Sequence, residues 1–285
     1  MIYAAHGTVG ARITYKKQYE NFIGDQWVKY SPANYLDNYS NQIQFRHILG
    51  LKIAVLTNES ASKLIEKRIK DNSPTRLAFA NASLANMAFE DKQFSKVLQS
   101  FLLLNDGTGI NIGSKFLCHK EFPANLNGTD FTPYFLDHCA VDLRIFLLGA
   151  SPKVSSRAAE YFAKRWPKHQ IVGSQHGFFS KNDEEEILGN IRRSQANLVL
   201  VAMGNGLQEY WVNKLVPDVV LSAWGIGALF DFLASEINRA PEWMRRMGIE
   251  WIYRLIHEPK RLWKRYLIGN AKFMFRLLMT RISAR

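Results

Sequence analysis

From His47 onward, short runs of β-branched and aliphatic residues alternate with longer stretches in which apolar positions return every three or four residues. The short runs read as strands buried on both faces and the longer ones as helices that cover them, so the alternation predicts βαβ units around a largely parallel sheet. Strands are expected at 52–56, 76–80, 101–104, 144–148, 170–173, 198–202 and 219–223, and helices at 59–70, 84–100, 155–165, 183–194 and 208–215. Residues 1–46, rich in Tyr, Asn, Gln and Ser, keep neither period and read as an extension. Beyond Arg239 the strand pattern stops, and Pro241 and Pro259 punctuate two or three further helices. The expected organisation is therefore an extension (1–46), an α/β core (47–238) and a helical appendage (239–285), with no internal repeat.

Composition keeps this picture and narrows the setting. With 47% hydrophobic and 22% charged residues, the 285-residue chain has the make-up of a globular domain. Its longest uncharged apolar run, 219–230, has 12 residues, against about 18 for a membrane-spanning helix. The first residues, Met-Ile-Tyr-Ala-Ala-His-Gly, lack a basic segment followed by an apolar one, which predicts no signal peptide and a cytoplasmic address. Cys118 and Cys139 have no metal-type spacing and fit reduced, idle thiols.

Charge changes the picture more. The net charge is +12, and residues 239–285 hold 12 Lys/Arg and 3 Glu, a net +9, so the appendage carries most of the excess. Such a tail attracts phosphate in nucleic acid, lipid headgroups or a diphosphate substrate. If 261–282 is one helix, Leu262, Tyr266, Phe273 and Leu277 share a narrow arc, with Arg261, Arg265, Lys272 and Arg276 about a third of a turn away. That face either lies in a headgroup interface or packs on the core with its basic side solvated, and Gly269-Asn270 is a place where the helix could break.

In open α/β sheets ligands bind beyond the carboxyl ends of the strands, so polar residues there are the candidates. Asp106, in Asn105-Asp106-Gly107-Thr108-Gly109, is either a turn residue or a carboxylate able to take a proton from a bound hydroxyl. Ser151, after Gly149, either caps a helix or shares its N-terminus with a phosphate. Gly204-Asn205-Gly206 leads into Gln208, whose amide suits a sugar hydroxyl or base edge. His176-Gly177-Phe178-Phe179 offers rings either to a nucleobase or to the core. Gly225-Ile226-Gly227 lacks the remainder of a dinucleotide fingerprint, no His/Cys/Asp group has metal-ligand spacing, and no Gly-x-Ser-x-Gly elbow is present.

Taken together, Asp106-Gly107, Gly128-Thr129-Asp130, Phe146-Leu147-Leu148-Gly149, Gly204 through Gln208-Glu209, and Phe230-Asp231-Phe232 resemble segments of the WecG/TagA/CpsF glycosyltransferase family, glycosyltransferase family 26. The run Arg239-Ala240-Pro241-Glu242-Trp243, Gly248-Ile249-Glu250-Trp251-Ile252-Tyr253-Arg254-Leu255, Glu258-Pro259 and Arg265-Tyr266-Leu267 is similar to that family's C-terminal signature, and the resemblance spans roughly 47–273. It implies a Rossmann-like core and a UDP-sugar donor. It further implies a polyprenyl-diphosphate-linked sugar acceptor and inverting transfer without metal or other cofactor. Attachment at the inner face of the bacterial cell membrane through the basic appendage, in cell-envelope or exopolysaccharide biosynthesis, is implied as well. On the matching positions, Asp106 is the expected base and Gln208 an active-site partner. Asn81, Gly107, Thr129, Asp130, Gly149 and Gly204 are expected substrate contacts. Arg254, Arg261, Lys264 and Arg265 are expected to close over the site and hold diphosphate charge.

The chain departs from the family pattern at Phe79, where Thr is common, at Gly206-Leu207, and at Ala234-Ser235. The competing class is a non-catalytic module binding a membrane surface or nucleic acid through the basic tail. No RNA- or DNA-binding motif supports the nucleic-acid form, and none is expected as a partner. The sugar transferred and the oligomeric state are open at this level.

Overall fold

The structure, a computed structural model, describes residues 43–234 and 239–283. Residues 1–42 of the expected extension, Ser235 and the last two residues of the appendage lie outside the described residues.

Eight strands form one mixed sheet: β1 (Phe45–Ile48), β2 (Leu51–Ala54), β3 (Thr75–Ala80), β4 (Leu102–Asn105), β5 (Arg144–Gly149), β6 (Gln170–Gln175), β7 (Leu198–Ala202) and β8 (Ser222–Gly225). Their order is β1-β2-β4-β3-β8-β7-β5-β6, with every pairing parallel except the β1–β2 hairpin. Central strands such as β3, β4 and β7 are buried at every residue, as expected where helices cover both faces. The hairpin's first strand lies at the edge of the expected extension, where four residues with polar Arg46 and His47 leave too short a pattern to read.

One face of the sheet is covered by α1 (Asn58–Lys70), α5 (Gly128–His138), α6 (Pro152–Arg165) and α9 (Leu229–Leu233). Phe131 and Phe135 of α5 pack on Trp224 of β8, the second edge-on at 4.8 Å between ring centres. Burying rings of this size contributes roughly 2–3 kcal/mol each. The remaining helices are α2 (Ala82–Glu90), α3 (Lys92–Leu98), α4 (Gly107–Cys118), α7 (Glu184–Arg193) and α8 (Leu207–Leu215).

Three differences from the sequence reading have local causes. The helix expected at 84–100 is two, because Asp91 ends α2 and caps α3, accepting from the N–H groups of Gln93 (2.8 Å) and Phe94 (3.0 Å). The last strand starts at Ser222, since the N–H groups of Val219 and Val220 are spent on the Leu215 carbonyl at the end of α8. Helix α4 was hidden by Gly107, Gly109 and Gly113, poor helix formers whose small size lets neighbours approach. A Cβ at position 113 would lie 3.1 Å from Ile48 and 3.3 Å from Phe273.

The appendage comprises α10 (Glu242–Arg246), α11 (Glu250–His257), α12 (Pro259–Trp263) and α13 (Gly269–Ser283). A π-turn at Lys264–Ile268 joins the last two, so one helix runs from Pro259 to Ser283 without a break at Gly269-Asn270. The arc expected to be apolar divides from the rest of the helix: Leu262, Phe273 and Leu277 are buried, the last two against α4. Part of the basic arc packs as well, with Arg276 hydrogen-bonded to Asn86 and Glu90 of α2, while Arg261 and Lys272 are exposed. Phe275, Leu278, Met279 and Ile282 are left exposed on α13.

Candidate active site

Strands β4, β3, β8 and β7 are consecutive in the middle of the sheet, and their carboxyl ends bring Asp106, Asn81, Gly227 and Asn205 into one crevice. From neighbours β3 and β8 the chain departs differently: α9 joins the core of one face, whereas α2 packs with α13. Such a parting opens the crevice in which α/β proteins bind ligands.

Asp106 occupies the N-cap position of α4, where a carboxylate ordinarily accepts backbone N–H groups, yet it makes no cap hydrogen bond. Its Oδ2 instead accepts from Asn81 Nδ2 at 3.2 Å. Asn81 is itself fixed as the N-cap of α2, its Oδ1 accepting from Leu84 N–H at 3.0 Å and from Asn205 Nδ2 at 2.9 Å. Burial pushes the Asp106 carboxyl above the usual carboxylate range, against the Asn81 hydrogen bond and the charges of Arg265 and Arg254.

Those two guanidinium groups come from the appendage. Arg254 of α11 lies over the Phe232 ring (5.4 Å), and its buried Nε has no hydrogen-bond partner; Arg265, in the π-turn, lies over Tyr266 (5.7 Å). Neither forms an ion pair with a carboxylate among the described residues. Burial lowers the Arg265 pKa, with repulsion from Arg254 and Arg261 adding to it and Asp106 opposing it. Arg261 is held differently, in a two-pronged ion pair with Glu258, and Lys264 is exposed beside Trp263. Of the four appendage cations, Arg254 and Arg265 are thus the two whose charge acts on Asp106.

On the β7 side, Gln208 is buried, and its Oε1 accepts from Gly227 N–H at 3.0 Å. Gly204 is exposed at the start of the turn, and Gly107 donates its N–H to Asn125 Oδ1 at 2.8 Å. Asn205 and Glu209, adjacent to the expected residues, belong to the same network and were missed. The available signal was an Asn between two glycines at a strand end, and a Glu in the first turn of the helix that follows.

Other expected residues fall elsewhere. Thr129 and Asp130, in the first turn of α5, hold the beginning of the appendage: Arg239 bonds Asp130 Oδ1 at 2.8 Å and Thr129 Oγ1 at 3.2 Å, and Arg245 lies 3.5 Å from Asp130. Burial raises the Asp130 pKa, but Arg239 and Asn127 outweigh it and hold the carboxyl below its ordinary value. Gly149 ends β5, with β7, β8 and β3 between it and Asp106; a Cβ there would lie 2.4 Å from the Ala202 carbonyl. Its glycine is explained by packing against β7. Ser151 caps α6 through Val154 N–H (3.4 Å), and Phe179 packs edge-on against buried Trp211 (5.2 Å). Phe178, with His176 and Asp183, lines a separate cavity of about 200 Å³. Phe79 is buried against Phe131 and against Gly128 at the start of α5. Among the described residues, no group of three or more His, Cys, Asp or Glu is placed to hold a metal ion.

A carboxylate of raised basicity, acted on by two cations that form no ion pair among the described residues and set at the strand ends of a parallel sheet, can take a proton from a hydroxyl while phosphate charge is neutralised beside it. This is the equipment of a group-transfer enzyme acting on a phosphate-bearing substrate. The chain belongs to the Glycosyl transferase WecG/TagA/CpsF family, whose profile matches residues 46–285, and it is accordingly a glycosyltransferase. Two similar proteins are both named N-acetylglucosaminyldiphosphoundecaprenol N-acetyl-β-D-mannosaminyltransferase. The one from Bacillus spizizenii is 30% identical over 204 residues, covering 70% of this chain and 77% of the relative. The one from Bacillus subtilis is 31% identical over 196 residues, covering 67% and 74%.

Proposed function

We propose that the protein moves a sugar from a UDP-sugar onto a polyprenyl-diphosphate-linked N-acetylglucosamine acceptor, inverting the anomeric centre and requiring no metal ion. The acceptor follows the names of the two Bacillus relatives. The observation that carries the reading is Asp106: an Asp at a helix N-cap that caps nothing, is oriented by Asn81, and lies within the field of Arg254 and Arg265.

In this reaction the acceptor hydroxyl gives its proton to the Asp106 carboxylate as its oxygen attacks the anomeric carbon from the side opposite the nucleotide. The bond from that carbon to the β-phosphate oxygen breaks, and its electron pair leaves with UDP. Burial raises the basicity of Asp106, which brings it closer to the proton it takes. Arg254 and Arg265 neutralise the charge that grows on the departing diphosphate, the part a divalent cation would otherwise play. Gln208 contributes a hydrogen bond to a substrate hydroxyl.

The appendage also serves as the membrane contact in this reading. No helix among the described residues is long and apolar enough to cross a membrane. The exposed Phe275, Leu278, Met279 and Ile282 of α13, with Phe89 of α2, instead form an apolar surface beside Lys272, Arg276 and Arg281. Phe89, Phe275 and Met279 line a groove of about 600 Å³ between the two helices. Attachment at the cytoplasmic face of the membrane brings a lipid-linked acceptor to the crevice.

The test is a panel of UDP-sugars with a short-chain N-acetylglucosaminyl diphosphate lipid, the product being identified by mass and linkage. One donor is expected to give a disaccharide lipid of inverted configuration, with the same rate in EDTA. Release of UDP from none of them would remove the reading, and loss of turnover in EDTA would remove its metal-free part.

A further inference from the structure

We infer that Glu209 is a positioning residue for transfer: sealed beneath the turn after β7, its carboxylate holds the Gln208 amide and the Asn205 turn in register with Asp106. The inference rests on the transfer reaction proposed above and adds a residue with no contact to substrate.

Glu209 is completely buried, a costly place for a carboxylate unless donors meet both of its oxygens. They do. Oε2 accepts from the N–H of Gly206, the N-cap of α8, and Oε1 accepts from Gln208 Nε2 at 2.8 Å. No cation joins them among the described residues, and burial pushes the carboxyl up to about 7. A helix start could be capped by an exposed Glu at far smaller cost, so the burial asks for another reason.

The reason lies in what the two oxygens hold. Committing Gln208 Nε2 to Glu209 turns the amide oxygen the other way, to Gly227 N–H beyond β8. Gly225 makes room for that posture, since a Cβ there would lie 3.0 Å from the Gln208 Cγ, Cδ and Nε2 atoms. The second oxygen fixes Gly206, and with it the turn that carries Asn205. Asn205 Nδ2 reaches Asn81 Oδ1 (2.9 Å), and Asn81 Nδ2 reaches Asp106 Oδ2 (3.2 Å). One buried carboxylate therefore sets the orientation of Gln208 directly and that of Asp106 through two amides. Plain capping would account for Gly206 alone and leave Gln208 unexplained.

The experiment compares full-length wild type with Glu209→Gln, Gln208→Ala and the double variant. It measures steady-state kinetics with the UDP-sugar that supports wild-type turnover, and hydrogen exchange at the Gly206 and Gly227 amides. Glu209→Gln keeps the shape but leaves one donor without an acceptor. It is expected to lower kcat about 10- to 100-fold with little change in the donor KM, because misplaced groups lose rate more than affinity. Exchange at both amides should quicken by about tenfold or more, reporting weaker protection. In the Gln208→Ala background the further loss should be much smaller than in wild type.

Unchanged exchange at Gly227, losses that multiply in full, or activity falling only with the folded fraction would each overturn the assignment. If wild type turns over no UDP-sugar, the transfer reading fails, while the exchange measurement still decides whether Glu209 holds Gln208. If Glu209→Gln does not fold, Gly225→Ala displaces the same amide from the opposite side, and wild-type kcat in that variant would equally overturn it.

Discussion

The core half of the crevice and the appendage half are built on opposite terms. In the core, Asn205, Asn81, Asp106, Gln208 and Glu209 are joined by hydrogen bonds, so their orientations are set before any substrate arrives. In the appendage, Arg254 and Arg265 have aromatic neighbours but no carboxylate partner among the described residues. Arg239 and Arg261, by contrast, are tied to Asp130 and Glu258. In the proposed transfer this difference becomes a division of labour: preorganised polar groups would act on the proton, and cations clear of ion pairs among the described residues would act on the leaving group. The appendage is held to the core by Asp130 and by Thr108, whose hydroxyl donates to the Gly248 carbonyl at 2.8 Å.

The sharpest way to break this comparison is at its two ends. Asp106→Asn keeps the shape and removes the base, so kcat is expected to fall about 10²- to 10⁴-fold in a steady-state transfer assay, while UDP affinity by calorimetry stays close to wild type. Arg254→Ala or Arg265→Ala should lower kcat about 10²- to 10³-fold, with UDP affinity reduced too. If neither Arg variant weakens UDP binding, the cations do not serve the leaving group and the division fails.

The core's cost can be measured against pH. The Glu209 carboxyl in the fold lies at about 7, above its ordinary 4.5, because burial disfavours its charge. The stability attached to this group is therefore complete below about pH 4.5 and lost as pH rises through 7. Relative to wild type, Glu209→Gln should gain about 3 kcal/mol between pH 4.5 and pH 8, read as a Tm difference that moves in the variant's favour. A Tm difference independent of pH would mean that the Glu209 carboxyl titrates in the fold as it does in the unfolded chain, its burial offset by its donors.

Smaller effects are expected at the hinge of the comparison. Asp130→Asn loosens the attachment of the appendage through a half-exposed ion pair, worth about 1 kcal/mol or less, and should raise the donor KM a few-fold with little change in Tm. Phe275→Ser removes one exposed ring from the α13 surface and should weaken binding to anionic vesicles about tenfold in a sedimentation assay. Unaltered vesicle binding would place the membrane contact elsewhere.

Much of the frame was legible from pattern alone. Runs such as Leu198–Ala202 and residues 145–149 are apolar for a reason that acts locally, since a strand covered on both faces excludes polar side chains. Asp106 was legible as a candidate because a carboxylate in a turn after a strand stands where α/β proteins bind ligands, and the resemblance raised it above an ordinary turn residue. Thr129 and Asp130 entered only through the resemblance, as expected substrate contacts. What they face was not legible, because Arg239 lies more than a hundred residues away in the chain.

The sequence by itself therefore determined the βαβ alternation, the basic helical appendage, the family and the carboxylate at the end of β4. These follow from periodicity, charge and motif strings, all of which are local along the chain. Only the tertiary structure decided that Asp106 stands at a cap position without capping, that Arg254 and Arg265 rather than Arg261 bear on it, and that Glu209 lies sealed beneath Gln208. Burial and packing decide these, with the strand order that sets β4, β3, β8 and β7 side by side and the docking of the appendage bringing together residues that are far apart in the chain.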